Sequence, residues 1–448
     1  MANIIQQPGL IEMAIGPLPI TLSGLNVNNK RYVLGIRFNF KSFNEEIILK
    51  QNKNPSGNAI FNISSIVEDV FKEIQPNIEV SNRVNITNTG LKYFIRSGEE
   101  IANNSIVWDS IFPTAPKYLI NGIKEPFLIN WFGSTQGIKL TSLQGWLTNN
   151  PDIVNFKPIN IKLTDHYTIS WINYNATDNL TLNDFNAQPW AIRYIFYRNN
   201  FTTNVGEHIS TLYSSPEFNR TTCTANLTST PNFDNIVSTL GVGPLNDLDN
   251  FTPIRNLISS FNATEYEVQL VACSSSSPSI ANCNTPSLIR PFLGTVLLKQ
   301  RFKIDAADCS NFTPYQVSFL NTLGGIDYFT FTKRNTRNIS IERSIIFRPY
   351  GDFSSATYQV DPGKRGLTTA NTNLTDNYEL SSDWLSNEES IWLQELFTSP
   401  YVKININGNW QSCILLNTSY EEKTIARNNK LFRHEIRITL SSPKRVQK

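Results

Sequence analysis

The stretch Ser318-Phe-Leu-Asn-Thr-Leu-Gly-Gly-Ile-Asp-Tyr-Phe-Thr-Phe-Thr-Lys333 sets two glycines between alternating aromatic runs. Glycine takes up positive φ at no steric cost, so Gly324-Gly325 predicts a tight turn. Val317 and Phe319 before it and Tyr328, Phe329, Thr330 and Phe331 after it then read as antiparallel partners. Outward from this hairpin the same pattern recurs. Tyr32 to Phe40, Glu46 to Leu49, Leu91 to Arg96 and Phe127 to Trp131 are short, β-branched and aromatic, and are bounded by Asn, Gly, Pro and Ser. Val402 to Ile406 meets Trp410 to Leu416 across Asn407-Gly408, a strong two-residue hairpin signal. The fold expected is mainly β: several β-sandwich or barrel-like domains with a few short helices.

Three blocks organise the chain. Residues 1–150 form an N-terminal β block with one short helix. There Ile63, Ile66, Val67, Val70 and Phe71 fall at helical spacing behind Ser64. Residues 151–310 read as an Ig-like β-sandwich built from Ile159 to Leu163, Tyr167 to Ile172, Ala191 to Tyr197 and Tyr266 to Val271, with Trp171 as its buried aromatic. A polar interruption over 198–262 reads as long loops suited to partner contacts. Residues 311–448 form a C-terminal β block. In it, Arg337 to Ile346 is followed by a Gly/Ser/Thr/Asn-rich stretch, 351–377, that reads as a long projecting loop. Ser386-Asn-Glu-Glu389 is a capping box opening a helix over 387–397, whose apolar face is Trp392, Leu393, Leu396 and Phe397. Glu435 to Thr439 supplies a last strand before the basic end Lys444-Arg445…Lys448.

Charge balance excludes some partners. Across 448 residues, 39 Lys and Arg oppose 37 Asp and Glu, so neither nucleic acid nor an anionic membrane is indicated as principal partner. The beginning, Met1-Ala-Asn-Ile-Ile-Gln-Gln-Pro-Gly9, lacks the basic and apolar pattern of a signal peptide, and no apolar run approaches the roughly 18 residues of a spanning helix. Charged residues make up 17%, below the roughly 25% usual in globular domains. A neutral polar surface of that kind suits a subunit of a large assembly, and an AT-rich genome yields the same Asn and Ile excess.

Chemical motifs are sparse. The three histidines, His166, His208 and His434, stand in unrelated contexts, so zinc and Ser-His-Asp chemistry lack recognisable parts. Five cysteines, Cys223, Cys273, Cys283, Cys309 and Cys413, match no zinc spacing and read as buried or incidental thiols. Gly241 to Pro244 and Asp361 to Gly366 lack the ending and setting of phosphate loops and read as turns. Asp247 and Asp249, with Asn246 and Asn250, offer hard oxygen ligands for calcium, but the EF-hand spacing and its terminal Glu are absent and loop solvation is the plainer reading. No catalytic residue, cofactor or metal is therefore assigned, and the chain is not expected to be an enzyme. Trp146, Trp190, Phe201 and Tyr213 are the aromatics that could stack on sugars, although core packing accounts for most rings.

Phe319-Leu-Asn…Gly-Gly-Ile-Asp-Tyr-Phe-Thr-Phe331, together with Trp392-Leu-Gln-Glu-Leu-Phe-Thr-Ser-Pro400, resembles structural proteins of the tailed phages of Bacteroidota, the crAss-like phages and their relatives. Gly57-Asn-Ala-Ile-Phe-Asn-Ile-Ser64 resembles the same proteins. The likeness covers the first and third blocks. It implies a tail, hub, baseplate, connector or neck component of the virion, made in the host cytoplasm and acting by assembly with other copies in a closed ring and with other tail or neck proteins. The residues expected to serve that assembly are Ile4, Ile5 and Leu10 in a proline-punctuated N-terminal arm with no local core, the 351–377 loop, and Lys444, Arg445 and Lys448. The alternative is a carbohydrate-binding adhesin or receptor-binding protein, with a glycan depolymerase as its enzymatic extension.

Overall fold

In this computed structural model the chain is described at residues 2–8, 11–25, 30–39, 46–73, 85–86, 90–101, 105–109, 117–123, 147–154, 157–172, 190–209, 218–219, 224–225, 237–246, 253–273, 293–305, 312–348, 357, 363, 366–417, 433–442 and 444–446. The architecture is mainly β, with four short helices among the described residues. It divides into two compact units, the first comprising Met1–Asp308 with Leu320–Tyr328 and the second Cys309–Phe319 with Phe329–Lys448. The first two expected blocks thus fall in one unit. Strand Asn85–Ile86 pairs with Val237–Gly241 across the expected boundary at 150.

In the first unit, strands Ile11–Ile15, Lys117–Ile123, Gly90–Glu100, Arg31–Asn39 and Glu46–Gln51 lie in that order, with Ile106–Trp108 added beside Gly90–Glu100. The period-two pattern of Arg31–Asn39 puts Tyr32, Leu34, Ile36 and Phe38 wholly inside. A smaller sheet, Asn3–Gln6, Pro19–Ser23 and Ala59–Asn62, and the helix Ser64–Glu73 close this core with Ile20, Phe61, Val67 and Phe71. Further along, Ile159–Ile161, Leu293–Ile304, Glu265–Cys273, Trp190–Arg198 and Thr203–Ile209 make a five-stranded sheet, and Thr168–Ile172, Val237–Gly241 and Asn85–Ile86 a three-stranded one. Rings of Tyr167, Tyr266 and Phe302 meet here, the last two stacked at 4.8 Å, and Trp171 is buried as its alternation predicts.

The polar interruption expected over 198–262 holds more structure than loops. Thr203–Ile209 pairs with Trp190–Arg198, Val237–Gly241 pairs with Thr168–Ile172, and Ile254–Ser260 is a helix with Ile254 and Ile258 buried. Neighbouring strands supply the hydrogen bonds that its polar composition does not advertise. Phe127 to Trp131, expected as a strand, lies outside the described residues.

The two glycines of the quoted stretch serve different ends. Gly324 has φ +83°, whereas a Cβ on Gly325 would stand 2.0 Å from the carbonyl oxygen of Leu147. Asn321 organises this turn. Its Oδ1 accepts from the amides of Leu323 and Gly325, and its Nδ2 donates to Leu147 O at 2.7 Å.

A sheet ordered Ile326–Phe331, Tyr315–Leu320, Val402–Ile406, Asn409–Leu415, Glu435–Leu440, Gly366–Ser381 and Asn335–Arg348, with Lys444–Val446 added beside Gly366–Ser381, supplies most of the second unit. Asn407 and Gly408 both take positive φ, 53° and 84°, as the expected hairpin turn requires. The helix Asn387–Thr398 carries the capping box: Ser386 Oγ accepts from Glu389 N at 3.2 Å, and Ser386 N donates to Glu389 Oε2 at 2.7 Å. Trp392, Leu393 and Leu396 bury its inner face against Phe319, Tyr378, Leu380, Ile404 and Ile436. Trp392 meets the rings of Phe319 and Phe329.

Candidate functional site

Strands Asn335–Arg348 and Gly366–Ser381 pair antiparallel from Asn335↔Leu380 out to Arg348↔Gly366, with one irregularity between Ser344 and Ile345. The stretch expected as a projecting loop over 351–377 is therefore strand from Gly366 onward, because Asn335–Arg348 pairs its backbone. Directly opposed residues of an antiparallel pair share a face. At the base one face carries Tyr378 and Leu380, both buried, and Arg337 donates to Asp376 Oδ1 at 2.7 Å. Farther out the same face carries Ile339, Ile341, Ile345, Phe347 and Leu367, which are 51%, 50%, 64%, 63% and 76% exposed. The reverse face is mainly polar, with Asn338, Ser340, Glu342 and Ser344 along one strand and Asn371, Asn373, Thr375 and Asn377 opposite, and Ile346 exposed at its outer end. Asn335–Arg348 also ends the sheet, so its outer edge has no partner strand among the described residues.

The residues expected to form an assembly surface are placed differently. Asn3–Gln6 is a strand paired with Pro19–Ser23, Ala2 is buried, and Ile4 packs against the first unit's core. The N-terminal segment therefore has the local core it was expected to lack. Ala2 N donates to Asp109 Oδ2 at 3.0 Å, and Lys117 Nζ donates to Pro8 O at 2.6 Å. Burial lowers the Lys117 ammonium to about 8, against the opposing pull of Glu12. Ile5 is open, at 58% exposure. Lys444 and Arg445 are part of a strand paired with Leu374 and Asn373, so the basic end is joined to the sheet. Leu10 and Lys448 lie outside the described residues, as do the acidic loop at Asp247 and Asp249, Trp146 and Tyr213.

A cleft of 490 Å³ opens in the second unit between Arg334, Thr336, Glu379, Ser381, Trp384, Arg433, His434 and Glu435. Trp384 stands 63% exposed at its rim. Arg437 Nε reaches Glu379 at 3.1 Å, and Lys333 Nζ reaches Asp383 at 2.9 Å. Partial burial alone would raise the Asp383 carboxyl, but hydrogen bonds from Lys333 and the Trp384 amide hold it below its usual range.

Beside this cleft His434 Nε2 and Ser390 Oγ lie 2.7 Å apart, a hydroxyl–imidazole pair that the sequence reading missed. No local motif links residues 44 positions apart. Ser390 is only 4% exposed on the inner side of the helix, so the contact ties the helix to the segment entering Glu435–Leu440 and does not present a nucleophile. His166 and His208 belong to the first unit, in the segment before Thr168–Ile172 and in Thr203–Ile209. Cys413 is buried, which pushes its thiol up to about 12. Among the described residues no group of three His, Cys, Asp or Glu could hold a metal ion.

No family model matches the chain, and no curated protein does. Among solved structures, a marsupial T cell receptor aligns over 84% of this chain and 96% of its own length at 10% identity, with a TM-score of 0.16. A superposition that loose carries no argument.

Proposed function

We propose that this chain is a structural component of a tailed-phage virion, a ring-forming tail, hub or neck subunit that acts by protein–protein assembly and not by catalysis. The observation supporting this reading is the amphipathic two-stranded arm, whose apolar side chains stand half to three-quarters exposed. A contiguous exposed apolar patch of this kind often marks an interaction site. The phage-like motifs around Gly324-Gly325 and Trp392 supply the context in which a subunit of this kind works. Size-exclusion chromatography with mass measurement tests the reading. Particles of six or twelve copies are expected, and a chain that stays monomeric across the accessible concentration range overturns it.

The cleft beside Trp384 favours a second reading, a glycan-binding receptor protein. An exposed indole flanked by guanidinium and carboxylate groups can stack on a sugar ring while binding its hydroxyls. Titration with host surface polysaccharide separates the two: saturable binding lost in Trp384→Ala supports the second reading, and release of reducing ends extends it to a depolymerase.

A further inference from the structure

We propose that the apolar face of the Asn335–Arg348/Gly366–Ser381 arm is covered by the same face of a second copy of this chain, arm against arm across a two-fold axis. This rests on the assembly reading above and names the partner that reading leaves open. Beyond Thr372 the arm is two-stranded, and a two-stranded ribbon is at best marginally stable in water and needs a covering layer on its apolar side. Here that side is a continuation of the second unit's core face, from buried Leu380 and Tyr378 out to Ile341, Ile345 and Leu367.

Size and charge both point to self-association. Four aliphatic side chains, Ile339, Ile341, Ile345 and Leu367, are 51%, 50%, 64% and 76% exposed. Together they leave on the order of 500 Å² of apolar surface, as large as the biggest patch usual on a monomer and most of the ~800 Å² that a stable interface covers per partner. A partner recognised by charge would need complementary charges on the arm. Arg337 is already engaged by Asp376, and Arg343, opposite Thr372, is the one further charged residue of this face among the described residues. The rest of the face is mainly apolar, with Ile339, Ile341, Leu374, Ile345, Phe347 and Leu367 set around Thr372 and Thr369, so an equally long and mainly apolar face matches it. A two-fold contact needs that self-match, because the same patch serves both copies. Packed at the ~10 Å spacing of stacked sheets, the two ribbons would leave Ser340, Glu342 and Ser344 facing water.

The test measures particle mass and melting temperature for the full chain, for Ile341→Asp with Ile345→Asp, for Leu367→Asp, and for Ser340→Asp on the polar face. An even number of copies is expected in the wild-type particle. Both apolar-face variants should halve the mass or dissociate the particle at unchanged melting temperature, and Ser340→Asp should leave it intact. Leu367 is exposed enough that its variant cannot disturb a core, so loss of folding in the double variant does not leave the question open. A particle with an odd copy number, or one whose mass neither apolar-face variant changes, overturns the arm pairing while the ring reading stands. A wild-type particle of two copies that these variants split supports the pairing and overturns the ring.

Discussion

At its base the Asn335–Arg348/Gly366–Ser381 hairpin turns Tyr378 and Leu380 into the cluster that holds Trp392, and both are under 5% exposed. A few residues farther out, the same face of the same two strands carries Ile341 and Ile345 at 50% and 64% exposure. The same face continues from one region to the other, past Arg343 and the irregularity after Ser344; what changes is whether a helix lies over it. A period-two apolar pattern therefore shows that a strand faces a covering layer, and says nothing about whether the chain supplies that layer itself.

Substitution at the anchor of the covered region should have the largest effect. Trp392→Ala should destabilise the second unit by about 3–5 kcal/mol, since it empties the space between Phe319, Phe329 and the helix. Ile341→Ala, on the same sheet but beyond the helix, should cost no more than about 0.5 kcal/mol in the dissociated chain. Denaturant unfolding at low protein concentration measures both. Comparable losses would mean that the arm is covered within one copy, and the contrast would collapse.

The N-terminus sharpens the contrast, because two segments expected to project have met opposite fates. Deleting residues 1–8 removes the Asn3–Gln6 strand, the buried Ala2 and the packed Ile4, and should lower the first unit's stability by about 2–4 kcal/mol. A thermal melt of the truncated chain checks this. An unchanged melting temperature combined with a lower particle mass would return this segment to the role of an assembly arm.

Local patterns were legible where neighbours in sequence are neighbours in space. The turn at Gly324-Gly325, the Asn407-Gly408 hairpin and the Ser386/Glu389 capping box each place their partners within a few residues, and all three are present. Non-local partners were not legible. Asn321 binds the Leu147 carbonyl 174 residues away, and the Gly325 requirement comes from that same carbonyl. The proline-punctuated N-terminus read as an arm with no local core, yet Pro19 is the first residue of its strand, where a missing amide is tolerated. Thr and Asn from 366 to 377 read as loop composition, because the pairing that makes them a strand belongs to Asn335–Arg348. The exposed arm was hidden for the same reason: with one strand read as loop, no two-stranded face could be drawn.

The smallest expected effect lies at the start of the helix that covers the base. Ser386→Ala removes the hydroxyl that accepts from Glu389 N, while the Glu389 carboxylate still accepts from the residue 386 amide, so half of the capping box survives. A lost cap of this kind costs about 1 kcal/mol, several-fold less than Trp392→Ala. The ordering follows from how the helix is held. Twelve residues are too few to sustain a helix alone in water, so its stability comes from the inner face packed on the sheet, and the cap trims only its end. Parallel denaturant titrations of the two variants measure the order. If Ser386→Ala proves as damaging as Trp392→Ala, the helix is held by its end and not by its face, and the distinction between a covered base and an uncovered arm loses its physical cause.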